Sequence, residues 1–288
     1  MRLFGQRPIR GFAAWALIGG FLAIGPSMTF WASPAAASTS GVPIPLGQSA
    51  PAMGKQEGHG ASYQSTPFTS RTWAGSFTTI FDRGGDFNQV SATWVQPAVT
   101  CEADNSSAVF WVGLDGFWSA TIEQAGSQAY CATAGGTPSY SIWWEMVPTN
   151  FIQTVLTINA GDTIEASVTF QAPNDFVIKV TDKTSHDGFT EVELCPFALG
   201  PYTCARSSAE VIAEAPQFAD GSVYPLADYG TMSFDQVKVT DFAGNTGGLL
   251  GKAWLNGTIN ESDGVTTYAT VSPLFGDGKT FNATWQHS

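Results

Sequence analysis

Carboxylate and amide side chains in four short segments are the groups of this sequence that could carry out a reaction. They are Trp111 and Asp115 with their neighbours in "WVGLDG", Gln124 in "IEQAG", Trp143 and Glu145 in "YSIWWEMVP", and Glu210 and Glu214 in "SAEVIAEAP". A positioned carboxylate can take a proton from water and return it to a leaving group. An amide cannot titrate, but its NH₂ group can donate a hydrogen bond to a developing oxyanion. The segments therefore favour hydrolysis by acid–base chemistry.

Side-chain alternation places these residues on common faces if the segments are β-strands. In a strand, residues two apart point to the same face of the sheet. Three pairs follow from this rule: Trp111 with Asp115, Trp143 with Glu145, and Glu210 with Glu214. Aromatic rings beside acidic side chains would form a suitable floor for an extended polymer, either peptide or sugar.

The chain lacks the motifs of several other enzyme classes. It contains three histidines but no HExxH, no G-x-S-x-G, no P-loop and no GxGxxG sequence. We therefore expect neither a metal ion nor a cofactor. The formal net charge is −12 and only 12 residues are Lys or Arg, which disfavours binding to nucleic acid.

The first 37 residues are predicted to be a secretory signal peptide. Three arginines and no acid precede the uncharged run "GFAAWALIGGFLAIG", and "SPAAAS" supplies small residues for cleavage after Ala37. Pro26 interrupts the run before the roughly 20 residues that a membrane-spanning helix needs. The mature protein is therefore expected to be secreted, without membrane attachment. Residues 38–67 are rich in Gly, Ser and Pro and are predicted to be a propeptide or linker, which leaves 68–288 as one domain.

Four cysteines form an even set, which in a secreted chain favours two disulfides over metal binding. Three pairings are possible. Cys101 with Cys131 and Cys195 with Cys204 are the expected pairs, because short loops close at a lower entropic cost.

Short alternating runs rich in Val, Ile, Thr and aromatic residues recur along the domain. "QVSATWVQP", "TIEASVTF" and "DFVIKVTD" are examples, and turn clusters such as "NAGD", "APND" and "SDG" separate such runs. No stretch of 12 residues has a strong helical period. The pattern predicts an all-β domain, specifically an antiparallel two-sheet β-sandwich of jelly-roll or concanavalin-like form.

Taken in order, "WVGLDG", "IEQAG", "YSIWWEMVP", "SAEVIAEAP" and "PLADYGTMSF" resemble the successive motifs of the glutamic peptidases, also called eqolisins. The resemblance spans roughly residues 70–240. It implies a β-sandwich enzyme that hydrolyses polypeptides in acid, with Gln124 and Glu210 as the catalytic dyad. The substrate-binding residues that follow from it are Trp111, Asp115, Trp143 and Glu145, with Glu214 as a neighbour of the catalytic glutamate. We expect the enzyme to be a monomer.

The dyad places a requirement on Glu210. As a general base it must be ionised at the working pH. An acid optimum therefore requires hydrogen bonds to its carboxylate that keep its pKa low despite partial burial, which alone would raise it.

Two other functions remain open on the residues alone. A glycoside hydrolase of similar fold could use two of Glu145, Glu210 and Glu214 as acid and nucleophile. A non-catalytic carbohydrate-binding module could present its tryptophans as stacking platforms. Gln124 is the discriminating residue, because neither alternative needs an amide in that register.

Overall fold

The structure is a computed structural model that describes residues 67–80, 86–117, 119–148, 150–195, 204–218 and 220–288. The predicted signal peptide and nearly all of the predicted propeptide lie outside these residues, so the domain boundaries remain predictions. No helix in the described ranges is long and apolar enough to cross a membrane.

Within that part of the chain, sixteen β-strands and one short 3₁₀ helix follow one another. The strands are β1 (Phe68–Ser70), β2 (Trp73–Thr79), β3 (Phe87–Val95), β4 (Ser106–Leu114), β5 (Ile122–Cys131), β6 (Ser139–Val147), β7 (Asn150–Thr157), β8 (Thr163–Gln171), β9 (Asp175–Asp182), β10 (Gly188–Leu194), β11 (Ser208–Glu214), β12 (Thr231–Asp241), β13 (Thr246–Gly247), β14 (Leu255–Ser262), β15 (Thr267–Val271) and β16 (Phe281–Trp285). The 3₁₀ helix is Gly276–Gly278. The all-β prediction is confirmed.

Fourteen strands form one continuous antiparallel path. Its order is β10, β9, β8, β3, β12, β16, β15, β14, β2, β11, β4, β5, β6 and β7. β1 pairs in parallel with β14, and β13 pairs with β12. Strands β3, β8, β9 and β12 of one half of the path contact strands β4, β5, β6 and β11 of the other half. The antiparallel arrangement is thus as predicted, while the division into two jelly-roll sheets stays a prediction.

Two buried clusters lie on opposite faces of the strands that carry the candidate site. On β4, Phe110, Val112 and Leu114 belong to the larger cluster, as the alternation predicts, and Trp111 belongs to the smaller one. Ile212 of β11 also belongs to the smaller cluster. These strands are buried on both faces, so the candidate site lies within the protein rather than on an open sheet.

Both predicted disulfides are present. Cys101–Cys131 joins the segment before β4 to the end of β5, and Cys195–Cys204 joins the segment after β10 to the segment before β11. The first bond therefore links the start of β4, which leads into Asp115, to the end of β5, which carries Gln124.

Candidate active site

Cross-strand pairing places three of the predicted site residues in one row. Glu210 of β11 pairs with Gly113 of β4, Gly113 pairs with Gln124 of β5, and Gln124 pairs with Glu145 of β6. Directly paired residues point to the same face of a sheet. We call these four residues the site row. The spacing of neighbouring strands puts the backbones of Glu210 and Gln124 roughly 10 Å apart, which two converging side chains can span.

Gly113 contributes no side chain between Glu210 and Gln124, and the ring of Trp111 packs over it. A Cβ atom at this position would lie 2.8 Å from the ring of Trp111 and 3.3 Å from the backbone oxygen of Glu123. Glycine at this position therefore admits the Trp111 ring, which a larger side chain would displace.

Aromatic residues form a second row beside the first. Ile212 pairs with Trp111, Trp111 with Gly126, and Gly126 with Trp143. An added Cβ at Gly126 would run into the carbonyl oxygen of Phe110, so the close backbone approach requires glycine here. The two tryptophans are therefore held as neighbours of the site row on the same face.

Glu214 lies in a third row, paired with Val109, and its side chain is hydrogen-bonded to Trp111 of the second row. Its Oε2 accepts a hydrogen bond of 2.6 Å from Nε1 of Trp111. Burial raises its pKa well above the ordinary range, and the charge of Glu145 adds to the effect, while the bond from Trp111 opposes it. The face that Glu214 shares with Glu210 is the one that alternation predicts.

All the predicted site residues are removed from solvent. None exceeds 2% exposure among Trp111, Asp115, Gln124, Trp143, Glu145, Glu210 and Glu214. Burial penalises an ionised carboxylate because it strips away hydration. The neutral forms of these acids are therefore favoured in the structure.

Glu210 has few groups that stabilise its charge. Its Oε1 accepts a hydrogen bond of 3.3 Å from the backbone N–H of Phe117, and Oε2 has no partner in the described part of the chain. Burial raises the pKa of Glu210 well above its ordinary value; Asp115 raises it further, and bonds from Ser208 and Phe117 oppose the shift. The structure thus differs from the expectation of a low pKa, because the bonds from Ser208 and Phe117 do not offset complete desolvation.

The amide of Gln124 is oriented by Glu145. Nε2 of Gln124 donates a hydrogen bond of 2.7 Å to Oε2 of Glu145. Burial raises the pKa of Glu145 to about 8, although this bond opposes the shift. Nε2 keeps a second hydrogen for another acceptor, and Oε1 of Gln124 has no partner among the described residues.

Asp115 holds the surrounding segments together. It follows β4 with φ of 66°, and its carboxylate accepts hydrogen bonds from the backbone N–H groups of Arg206 and Ser207 at 2.7 and 2.9 Å. The hydroxyl groups of Ser207 and Thr121 also donate to it. These bonds tie Asp115, two residues before Phe117, to the two residues that precede β11. Asp115 therefore positions Phe117, which donates to Glu210, and the start of the strand that carries Glu210.

Three buried charged residues near the site were not singled out from the sequence. Arg206 forms an ion pair with Asp86 and lies 3.7 Å above the ring of Phe170. Glu123 lies on the opposite face from Gln124; burial raises its pKa, and the charges of nearby acids add to this. Glu261 is also fully buried. Glu123 is the one charged residue of "IEQAG", which could have marked it in the sequence as a candidate. Side-chain alternation alone, however, does not reveal that both faces of β5 are buried.

The described residues contain no group of three or more His, Cys, Asp or Glu side chains that could hold a metal ion.

Comparison with known proteins gives a family and a fold. The profile of the peptidase A4 family matches residues 71–276. A crystal structure of scytalido-glutamic peptidase with a transition state analog inhibitor is 23% identical with a TM-score of 0.61, and the match covers 75% of this chain and 98% of that one. SCP-B, a member of the eqolisin family in complex with the tripeptide Ala-Ile-His, is 21% identical with a TM-score of 0.54 and the same coverage.

A search of curated protein sequences finds no match. The two structural likenesses show only the fold, because both are at most 23% identical to this chain. The family profile covers most of the chain and therefore shows the family. The chain belongs to the peptidase A4 family and is a glutamic peptidase.

Proposed function

We propose that this glutamic peptidase is a secreted acid endopeptidase in which Gln124 and Glu210 form the catalytic dyad. The observation that supports the proposal is the site row, in which both residues share one sheet face with only Gly113 between them. Their residue types match the two tasks of amide hydrolysis, which are proton transfer and stabilisation of the oxyanion.

Glu210 acts as the general base and then as the general acid. It accepts a proton from the attacking water and later delivers that proton to the leaving nitrogen. Gln124 donates the second hydrogen of Nε2 to the oxyanion, while its first hydrogen stays on Glu145. The amide of Gln124 is itself a fixed dipole that does not titrate, so it needs no change of protonation during the cycle.

The raised pKa of Glu210 is compatible with this role only if the substrate complex favours the carboxylate. Oε2 lacks a partner among the described residues. A water molecule or peptide N–H that donates to this oxygen would lower the pKa of Glu210, because hydrogen bonds to the charged form favour it. The acid limb of the pH profile should therefore report the pKa of Glu210.

The remaining predicted site residues have supporting roles in this proposal. Once the buried face opens to admit the polypeptide, Trp111 and Trp143 form its floor, and Glu145 orients the catalytic amide. Glu214 fixes the indole of Trp111. Asp115 holds the segment next to Glu210 in place and therefore acts on the substrate indirectly, through the position of that segment.

Acid operation agrees with the electrostatics of the interior. Six buried carboxyl groups have raised pKa values: Asp115, Glu123, Glu145, Glu210, Glu214 and Glu261. A carboxyl group whose pKa is raised by folding stabilises the folded state in acid and loses that effect as the pH rises. The interior is therefore suited to low pH.

We further propose the processing and architecture that the sequence predicts. The signal peptide ends at Ala37, residues 38–67 are removed on activation, and 68–288 form a monomeric two-sheet jelly-roll domain that binds neither nucleic acid nor membrane. The family assignment favours this reading over the glycosidase and the carbohydrate-binding module.

Proteolysis by matched variants tests the dyad. Glu210→Gln is nearly isosteric and should abolish cleavage of denatured protein from pH 2 to 7, while the variant remains folded. Glu214→Gln should be milder. Glu165→Gln is the control, because Glu165 is half-exposed, pairs with Lys183 and lies on β8, outside the four strands of the site row. Near wild-type turnover with Glu210→Gln, together with loss on changing Glu145 or Glu214, would sink the assignment.

A further inference from the structure

A separate cavity of about 500 Å³ lies at the end of β14. The charged and phenolic side chains of its lining are Arg71, Tyr224, Glu261, Asp263 and Tyr268. Val223, Pro225 and Leu226 supply an apolar wall. The volume falls within the range of ordinary ligand sites, and the cavity combines such a wall with a small number of polar groups.

Glu261 is the unusual member of this lining. Its side chain is 1% exposed, and its Oε2 has no hydrogen-bond partner in the ranges that the structure describes. The backbone N–H of Ala215, which donates to the carbonyl oxygen of Thr72 at 3.0 Å, lies near this carboxyl group and lowers its pKa. A buried carboxylate oxygen without a donor is costly, so a ligand that donates a hydrogen bond here would gain the full benefit of satisfying it.

The cavity lies next to the face that carries the candidate dyad. Ile259 of β14 pairs with Gly75 of β2, which pairs with Ile212 of β11. Glu261 and Glu214 each lie two residues further along these two strands and therefore share a face, and the charge of Glu214 raises the pKa of Glu261. Glu214 in turn lies four residues beyond Glu210 on the same strand face, which is roughly 13 Å at the rise of a β-strand. A polypeptide lying along this face from Glu210 would reach the cavity after about four to six residues.

We propose that this cavity is a substrate subsite that binds a lysine or arginine side chain about four to six residues from the scissile bond. The inference rests on the proposed function, because it needs a polypeptide to occupy the face. When both are ionised, the carboxylates of Glu261 and Asp263 outnumber the single cation of the lining, Arg71. A guanidinium or ammonium group can donate to Oε2 of Glu261, and tyrosine rings attract cations.

Protonation of Glu261 sets the pH dependence of this preference. Burial and then Glu214 raise its pKa, whereas backbone bonds from Thr266 and Val265 lower the pKa of Asp263. The other titratable groups that interact with Glu261 are the phenols of Tyr229 and Tyr268. A cation pairs best with the ionised carboxylate, so selection for a basic side chain should strengthen as the pH rises.

A series of quenched fluorescent peptides tests the subsite. Each peptide carries one arginine, or its neutral isostere citrulline, at a position three to seven residues from the cleaved bond on either side. At the highest pH at which the processed wild-type enzyme still cleaves these peptides, where Glu261 is most ionised, we expect the arginine-to-citrulline ratio of kcat/KM to reach at least about tenfold at one position, since hydrogen bonds to charged groups are the strong ones. Glu261→Gln should reduce that ratio to near one, and Glu165→Gln should leave it unchanged.

Further measurements separate the possible failures. Asp263→Asn alters an exposed lining residue and should lower the ratio partly, which gives a second test if Glu261→Gln fails to fold. A ratio near one at every position, or one that survives Glu261→Gln, overturns the subsite while the dyad stands. If no peptide is cleaved, the proposed function fails; fluorescence anisotropy then compares binding of the arginine and citrulline peptides, and equal affinity overturns the subsite as well.

Discussion

Replacement of Glu145 by glutamine should remove one measurable component of the pH dependence of stability. Burial raises the pKa of this carboxyl group from its ordinary value of 4.5 to about 8. Each unit of pKa shift corresponds to ~1.4 kcal/mol, so the group accounts for a stability change on the order of 5 kcal/mol. The side chain is 2% exposed, so solvent screening reduces this value little.

The sign follows from proton linkage. The folded state holds the proton of Glu145 more tightly than the unfolded state does. Its contribution is therefore complete below pH 4.5 and is lost as the pH rises through about 8. Glutamine keeps the volume and can still accept the hydrogen bond from Gln124, but it does not titrate.

Urea unfolding at intervals from pH 4 to pH 8 is the assay. We expect the free energy of unfolding of the wild type to fall steeply over this range and that of Glu145→Gln to fall less, by several kcal/mol. Glu165→Gln, which alters an exposed ion pair, should follow the wild type to within about 1 kcal/mol. Parallel pH profiles for the wild type and Glu145→Gln would show that burial does not control this group.

Two further outcomes concern packing and the reaction. Gly126→Ala should destabilise the fold by at least about 3 kcal/mol in urea unfolding, because the new methyl group meets the carbonyl of Phe110. The control Gly135→Ala, with nothing within 4 Å of the added atom, should cost only about 1 kcal/mol of backbone strain. Equal losses of stability in the two variants would contradict the packing argument. Activity on denatured protein should persist in EDTA and after serine- and cysteine-directed reagents, because the dyad needs no metal ion and all four cysteines are paired; loss in EDTA would count heavily against it.

Local sequence was sufficient to predict the faces of the site strands. Residues two apart share a face whatever the partner strand, so Trp111, Trp143 and Glu214 could be placed before any pairing was known. The disulfides were also predictable, because each closes the shorter of the possible loops.

Long-range pairing could not be read from local patterns. The site row depends on the register between β11, β4, β5 and β6, and nothing within one strand specifies its partner. The proximity of Glu261 to Glu214 joins segments 47 residues apart. Alternation likewise did not show that β5 is buried on both faces, because a doubly buried strand loses the contrast between its two sides.

A double-mutant cycle in kcat/KM tests the dyad most directly. Gln124→Ala, Glu210→Gln and the double variant are assayed on one peptide at the pH optimum. Loss of one oxyanion donor should slow Gln124→Ala by roughly 10²- to 10³-fold, and Glu210→Gln should lose more. If the two residues act as one unit, the double variant will be no slower than Glu210→Gln alone. Multiplication of the two single effects, or a Gln124→Ala enzyme with unaltered turnover, would contradict a Gln124–Glu210 dyad.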